Sequence, residues 1–237
     1  MSIIGVNGKI GSGKDTVGKI IQYLTSEYRD KYNFIEWQDR VENYGSSTYS
    51  KFEVKKFAGK LKTIASLLTG IPVEMFEDQD FKKTDLSNEW VYVKPGYPAR
   101  NMSVRELLQK LGTEAMRDGL HINVWVNALF ADYRGPKMSE YNPSNWIITD
   151  MRFPNELEAV KERKGITIRV VRPKIESVVD KMRPYSDLVH YGIPMPVEHP
   201  SETALDDAEF DYEIINDGSI KDLIEKVKQI LITEKII

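Results

Sequence analysis

The sequence predicts a three-layer α/β fold, in which a mostly parallel central sheet is flanked by helices and carries a lid or insert region. Three observations carry that prediction. Strand-like and helix-like hydrophobic periods alternate along the chain. A glycine-rich turn follows the first strand-like run and opens a helix-like one. A second buried strand pattern, Trp146-Ile147-Ile148-Thr149, ends in the carboxylate of Asp150.

The elements follow in order. Ser2 to Asn7 reads as a buried first strand. After the glycine turn, Val17, Ile20, Ile21 and Leu24 fall at helical spacing. Residues 29–50 are polar and aromatic, and read as an insertion or a surface hairpin. Phe52 to Ala58 is a second strand, and Leu61, Ile64, Ala65 and Leu68 mark a helix after it. Residues 70–102 hold five turn signals in Gly70, Pro72, Pro95, Gly96 and Pro98, and read as a surface crossing. Ser103 with Glu106 makes a capping-box pair ahead of Leu107, Leu108 and Leu111. Asn123 to Tyr133 reads as another helix, and 134–144 as a loop. Pro154 suits a helix's first turn and Gly165 its exit. Ile166 to Val171 and Tyr212 to Ile215 are strands. Residues 173–205 hold four prolines and read as a long loop or lid. Ser219 with Asp222 starts the last helix, whose stripe runs from Ile220 to Leu231.

Composition bounds the function. A chain of 237 residues with 41% hydrophobic content fits one compact domain, spanning 1–237, with a buried core. No run of eighteen apolar residues occurs, so no transmembrane helix is expected. No basic, apolar leader pattern opens the chain, so no signal peptide is expected. The absence of cysteine excludes disulfides and thiolate zinc sites, and is compatible with a cytoplasmic protein. The net charge of -3 argues against nucleic-acid binding. His121, His190 and His199 have no partners at metal-ligand spacing. Lys55, Lys56, Lys60 and Lys62 form a basic cluster, either a solvated helix face or a phosphate-facing patch.

Gly8-Lys9-Ile10-Gly11-Ser12-Gly13-Lys14 matches G-x-x-x-x-G-K between a predicted strand and a predicted helix. Glycines let successive backbone N–H groups turn inward around phosphate oxygens, and the helix N-terminus adds partial positive charge. Gly11, Ser12, Gly13, Lys14, Asp15 and Thr16 are therefore the expected ATP-phosphate contacts, with Lys14 reaching the outer phosphates. Asp15 stands where Ser or Thr usually holds magnesium. A carboxylate is a hard ligand for Mg2+, directly or through water, so Asp15 and Thr16 are the candidate metal residues.

Asp150 at a strand's carboxyl end, with Arg152 after it, is placed to face this loop in an open α/β sheet. The plainer alternative is a strand-end ion pair. Arg105, Gln109, Thr113 and Arg117 form another group; Arg105 and Gln109, four apart, share a helix face that suits a phosphate and a base edge, or simply solvent. Arg172, Lys174 and Arg183 lie in or near the expected lid. Trp125 on a helix reads first as core.

Several segments align together with one family. They include Ser12-Gly13-Lys14-Asp15-Thr16, Lys56-Phe57-Ala58-Gly59-Lys60-Leu61-Lys62 and Leu107-Leu108-Gln109-Lys110-Leu111-Gly112-Thr113. Trp125, Asp150-Met151-Arg152, Val170-Val171-Arg172-Pro173, Ser201-Glu202 and Asn216-Asp217-Gly218-Ser219 complete the set. The chain resembles the deoxynucleoside monophosphate kinases of tailed bacteriophages over nearly its whole length. The resemblance implies a P-loop kinase fold and transfer of the γ-phosphoryl group of ATP, with Mg2+, to a deoxynucleoside monophosphate. It implies that Lys62 contacts the acceptor, that Arg105 and Thr113 hold its phosphate or base, and that Trp125 walls the pocket. It further implies that Asp150, Arg152 and Glu156 line the acceptor site, that Lys14, Asp150 and Arg152 serve the transfer, and that the protein is a homodimer in the host cytoplasm. The family carries a basic residue where this chain has Gly11, a role Lys9 takes from a shifted position. The residues alone leave open a kinase of another small acceptor, such as dephospho-coenzyme A or phosphomevalonate, a nucleotide-dependent switch, or an ATP-using DNA-associated protein.

Overall fold

The computed structural model describes residues 2–44, 50–93, 96, 98–133, 145–173 and 200–237. They fall into two compact units, one of 1–54 with 142–237 and one of 55–141. The first is built on strands β1 (Ile3–Asn7), β2 (Phe52–Lys55), β5 (Asn145–Met151), β6 (Ile166–Val171) and β7 (Tyr212–Ile215). They form one sheet of order β2-β5-β1-β6-β7. β1 runs parallel to both β5 and β6, and β6 to β7. A parallel strand covered on both faces reads as a continuous apolar run, which explains why Trp146, Ile147 and Ile148 are all buried.

Alternation along β1 sorts the covering helices into two layers. Ile4 and Val6 face α1 (Lys14–Leu24) and α8 (Ile220–Thr233), packing with Val17, Ile20, Leu223 and Val227. Gly5 points to the opposite face and α6 (Pro154–Glu162). A Cβ added there would stand 2.6 Å from Met151 Sδ and 3.3 Å from Val160 Cγ1, so only glycine lets α6 approach β1. The three-layer α/β architecture expected from the sequence is thus the architecture of this unit.

Three local expectations are corrected. Within 29–50, residues 34–44 form a helix, α2 (Phe34–Tyr44), and not a surface hairpin. Asn33 Oδ1 accepts from the N–H groups of Ile35 and Glu36 at 3.0 Å, and Glu36 returns a carboxylate to Asn33 N–H at 3.0 Å. That N-terminal cap fixes the start, and Phe34 and Trp37 carry the helix into the core, where Tyr23 meets Phe34 edge-on at 5.6 Å. Gly165 does not supply the left-handed exit of α6; Lys164 does, with φ 56°. Gly165 is required for space, because a Cβ would lie 2.7 Å from Val160 Cγ1 and 2.9 Å from the Ile3 carbonyl oxygen. Of the expected lid, 174–199 lies outside the described residues together with Lys174 and Arg183, and 200–203 is a short helix, α7 (Pro200–Thr203). The loop read at 134–144 also lies outside them.

The second unit contains α3 (Ala58–Thr69), closed by Gly70 at φ 73°. It continues through the 3-10 turns Val73–Glu77 and Phe81–Lys83 and the antiparallel pair β3 (Val91–Tyr92) and β4 (Arg100–Asn101). α4 (Val104–Gln109) starts where the sequence placed it, with Ser103 Oγ accepting from Glu106 N–H at 3.2 Å. A π-helical stretch, Lys110–Asp118, follows, and then α5 (Val124–Phe130). The 70–102 stretch is not merely a surface crossing. Phe76 is 0% exposed and Leu86 6%, and both pack with Ala65, Val104 and Leu107. Short 3-10 turns carry no hydrophobic period, so the sequence could not announce this core. Phe76→Ala is expected to destabilise this unit by about 3–5 kcal/mol. Urea unfolding should show it as a lower midpoint with an unchanged slope.

Candidate active site

The glycine-rich turn between β1 and α1 takes the conformation its glycines permit. Gly11 has φ 79° and Gly13, at the N-cap of α1, φ 97°, both in the left-handed region. A Cβ on Gly13 would stand 2.5 Å from Asn216 Nδ2. Asn216, just beyond β7, donates to the Ser12 carbonyl at 2.8 Å and so ties the turn to the sheet. Ser12 N–H donates to the Lys9 carbonyl at 3.0 Å, closing the loop. Ser12 Oγ is buried with no hydrogen-bond partner among the described residues. A buried hydroxyl left unsatisfied carries a desolvation cost that a bound oxyanion would relieve. The cradle, the orphan hydroxyl and the start of α1 together fit a polyphosphate.

Lys14 opens α1, and its charged neighbours define the site. Burial pulls its ammonium below the ordinary lysine range, and nearby Arg152 pushes the same way. Asp15, Glu202 and Asp150 oppose that shift. One lysine, one arginine and three carboxylates therefore surround the carboxyl ends of β1 and β5, where the sheet topology places ligands. Asp15 Oδ1 accepts from the Thr149 hydroxyl at 3.0 Å, which orients the carboxylate. Arg152 is paired with Glu202 of α7. Its own N–H donates to Glu156 at 2.7 Å, as does Phe153 N–H at 3.1 Å. Glu156, 3% exposed, thus caps α6 and fixes the turn that presents Arg152. The resemblance implied that Glu156 lines the acceptor site; in the structure its carboxylate caps the turn beside Arg152.

A small polar cleft is lined by Gly8, Lys9, Arg152, Glu202 and Asp206. Lys9 Nζ pairs with Asp206 at 3.0 Å on its rim, so Lys9 has an acidic partner. Arg169 on β6 holds the far wall. It donates to the carbonyls of Leu205, Asp206 and Ala208, the last two at 3.0 Å, and covers the Phe210 ring at 4.5 Å.

The remaining sequence candidates belong to the second unit. Lys62, 7% exposed, pairs with Glu77, which also takes Lys56 at 3.3 Å. Arg105 donates to Gln79 Oε1 at 3.4 Å. Gln109 ends α4, and Thr113 sits in the π-helical stretch, a distortion common at functional positions. Trp125 is 6% exposed, and its Nε1–H donates to the Gly112 carbonyl at 2.8 Å, locking that stretch in place. The structure thus gathers Gly11 to Thr16, Asp150, Arg152 and Glu156 in one unit, and Lys62, Arg105, Gln109, Thr113 and Trp125 in the other.

Residue-by-residue reading assigned no part to Thr149, Glu202 or Asn216. Glu202 and Asn216 lie in segments that carry the family resemblance; Thr149 is one residue before a motif that does. No spacing rule links any of them to the loop.

The family model for deoxynucleotide monophosphate kinase matches residues 73–183. The chain is 27% identical to a putative deoxynucleotide monophosphate kinase of Acanthamoeba polyphaga mimivirus, over 96% of this chain and 94% of that protein. It is 25% identical to the deoxynucleoside-5'-monophosphate kinase of Escherichia phage T5, over 90% of this chain and 89% of that protein. A shorter match, 32% identical over 54% of this chain and 45% of the other, is to the deoxynucleotide monophosphate kinase of Escherichia phage RB69. With a glycine-rich loop, a half-buried lysine and a paired arginine at the strand ends, the chain is similar to deoxynucleotide monophosphate kinases over most of its length.

Proposed function

We propose that the protein transfers the γ-phosphoryl group of ATP to a deoxynucleoside 5'-monophosphate, giving ADP and a deoxynucleoside diphosphate. The observation that supports this most is the set of Asp15, Asp150, Arg152 and Glu202 around Lys14, at the end of a loop whose buried Ser12 hydroxyl has no partner among the described residues. A half-buried lysine is stabilised when phosphate charge arrives beside it.

Gly11, Ser12 and Gly13 shape the loop that takes the ATP phosphates, and Lys14 neutralises charge on the outer ones. Asp15 and Thr16 are hard oxygen donors that fit Mg2+, with Thr149 holding the Asp15 carboxylate in place. Magnesium supplies charge neutralisation and phosphate orientation when bound. Arg152 presents two parallel N–H donors to a phosphoryl group, a geometry that a lysine lacks. Asp150 orders the charges around Lys14. An acceptor phosphate is already a nucleophile at neutral pH, so no strong general base is required. Positioning and charge balance supply the acceleration. Lys62, Arg105, Gln109 and Thr113 are the proposed acceptor contacts, with Trp125 supporting them from the core.

The test is ADP release from ATP and Mg2+ across a panel of deoxynucleoside and ribonucleoside monophosphates. Stimulation by one or more deoxynucleotides, with formation of the diphosphate, is expected. ATP binding with no stimulation by any of them would remove the proposal and point to a non-nucleotide acceptor.

A further inference from the structure

The second unit holds a concentration of positive charge that the known candidates do not exhaust. Lys56, just ahead of α3, Lys62 on α3 and Arg105 on α4 lie around Lys82 of the Phe81–Lys83 turn, with Glu77 among them. Glu77 pairs with Lys62 and Lys56. Lys82 Nζ reaches only the Glu77 backbone carbonyl, at 3.3 Å, and Arg105 a neutral amide oxygen, at 3.4 Å, among the described residues. The other nearby carboxylates are engaged. Asp78 accepts from the N–H groups of Asp80 and Phe81 at 2.7 and 2.8 Å, and Asp80 pairs with Lys83 at 2.7 Å. Four cations thus cluster where one acidic side chain pairs with two of them, and one of these, Lys62, is almost wholly buried. Such a cluster is stable only at a cost in charge repulsion, which a multiply charged anion would relieve.

We propose that Lys82 binds the phosphate group of the acceptor nucleotide, acting with Lys56, Lys62 and Arg105 as a four-cation site for a phosphate monoester dianion. This rests on the kinase reading above. The Asp78 cap fixes the backbone of the turn that carries Lys82, and Lys82 Nζ donates to the Glu77 carbonyl at 3.3 Å. Burial, and then the charge of Lys62, bring Lys82 down from 10.5 to about 8, with Glu77 opposing and Arg105 and Lys56 adding to the shift. Asp78, Asp80 and Lys83 are the charged neighbours on its own turn, the last two paired with each other. Lys82 therefore changes charge within an accessible pH range, and a bound dianion should draw its proton back.

The test is steady-state kinetics with a preferred deoxynucleoside monophosphate, from pH 7 to 9.5, for wild type, Lys82→Met and Lys82→Arg. Wild-type acceptor KM should rise above pH 8 as Lys82 loses its proton. Lys82→Met should raise KM about 10–100-fold at pH 7, the loss expected for one charge-assisted hydrogen bond, with kcat changed little. It should also flatten the alkaline rise. Lys82→Arg, charged throughout, should restore most of the affinity and lack the alkaline rise. Lys82→Met should unfold at or above the wild-type temperature, because the half-buried charge costs stability at pH 7, whereas Lys82→Arg keeps that charge and should gain nothing. If deoxynucleotides are phosphorylated and Lys82→Met leaves KM and its pH profile unchanged, the Lys82 assignment fails and the kinase reading stands. If wild type phosphorylates no deoxynucleotide, both fail.

Discussion

Lys14→Ala is expected to lower kcat by at least ~10³-fold while leaving the fold intact, since losing one preorganised donor to a transferring phosphoryl group costs about that much. Lys14 is the cation that burial holds beside the loop, with Asp15, Asp150 and Glu202 around it. In the empty protein it is a liability. Its pKa in the folded chain is depressed, so the unfolded chain binds more protons between that value and the ordinary 10.5. Stability therefore rises with pH across that window, and at pH 7 the charged lysine costs folding free energy. Lys14→Met, which keeps the aliphatic stem, should then melt at or above the wild-type temperature while being as inactive as Lys14→Ala. Loss of activity with unchanged or raised melting separates a functional lysine from a structural one. Near-normal turnover in either variant would sink the loop's assignment. A lower melting temperature with lost turnover would mean that Lys14 supports the fold.

Much of this site was legible in the sequence because its signals are local. Gly8 to Lys14 lie on consecutive residues between a strand and a helix, so spacing alone identified the cradle. Ser103, Ser219 and the apolar run before Asp150 are equally local, and each stands where its signal placed it. The contacts that tune the site are not local. Glu202 meets Arg152 across 50 positions, and Asn216 meets Ser12 across 204. Both depend on the order in which parallel strands pair, which no single window contains. Glu156 shows a third case. The resemblance picked out its position, while the cap it makes was readable from its place three residues into the helix after Phe153. The start of α2 was readable and was missed. Asn33 and Glu36 stand at capping-box spacing, hidden by the aromatic and polar residues around them.

Arg152→Ala is expected to lower kcat by about 10²–10³-fold, the usual cost of removing one charged donor aimed at a developing negative charge. Arg152→Lys should recover only part of this, because a point charge cannot reproduce the two-pronged fork. The pair with Glu202 makes a sharper test available. In the wild type, Glu202 holds the guanidinium at the cleft, and Glu156 holds the backbone beneath it. Once Arg152 is gone, the Glu202 carboxylate faces Lys14 without its partner and has nothing left to orient. Glu202→Gln alone should therefore reduce kcat by a smaller factor, about tenfold, by loosening Arg152. Added to Arg152→Ala, it should cause almost no further loss, since residues acting as one unit are not additive. Its apparent contribution in that background should vanish or reverse sign. If the two losses instead multiply, Glu202 acts on the reaction by a route that does not pass through Arg152. It would then be a catalytic group in its own right, and the wall formed by α7 would have to be read as part of the chemistry.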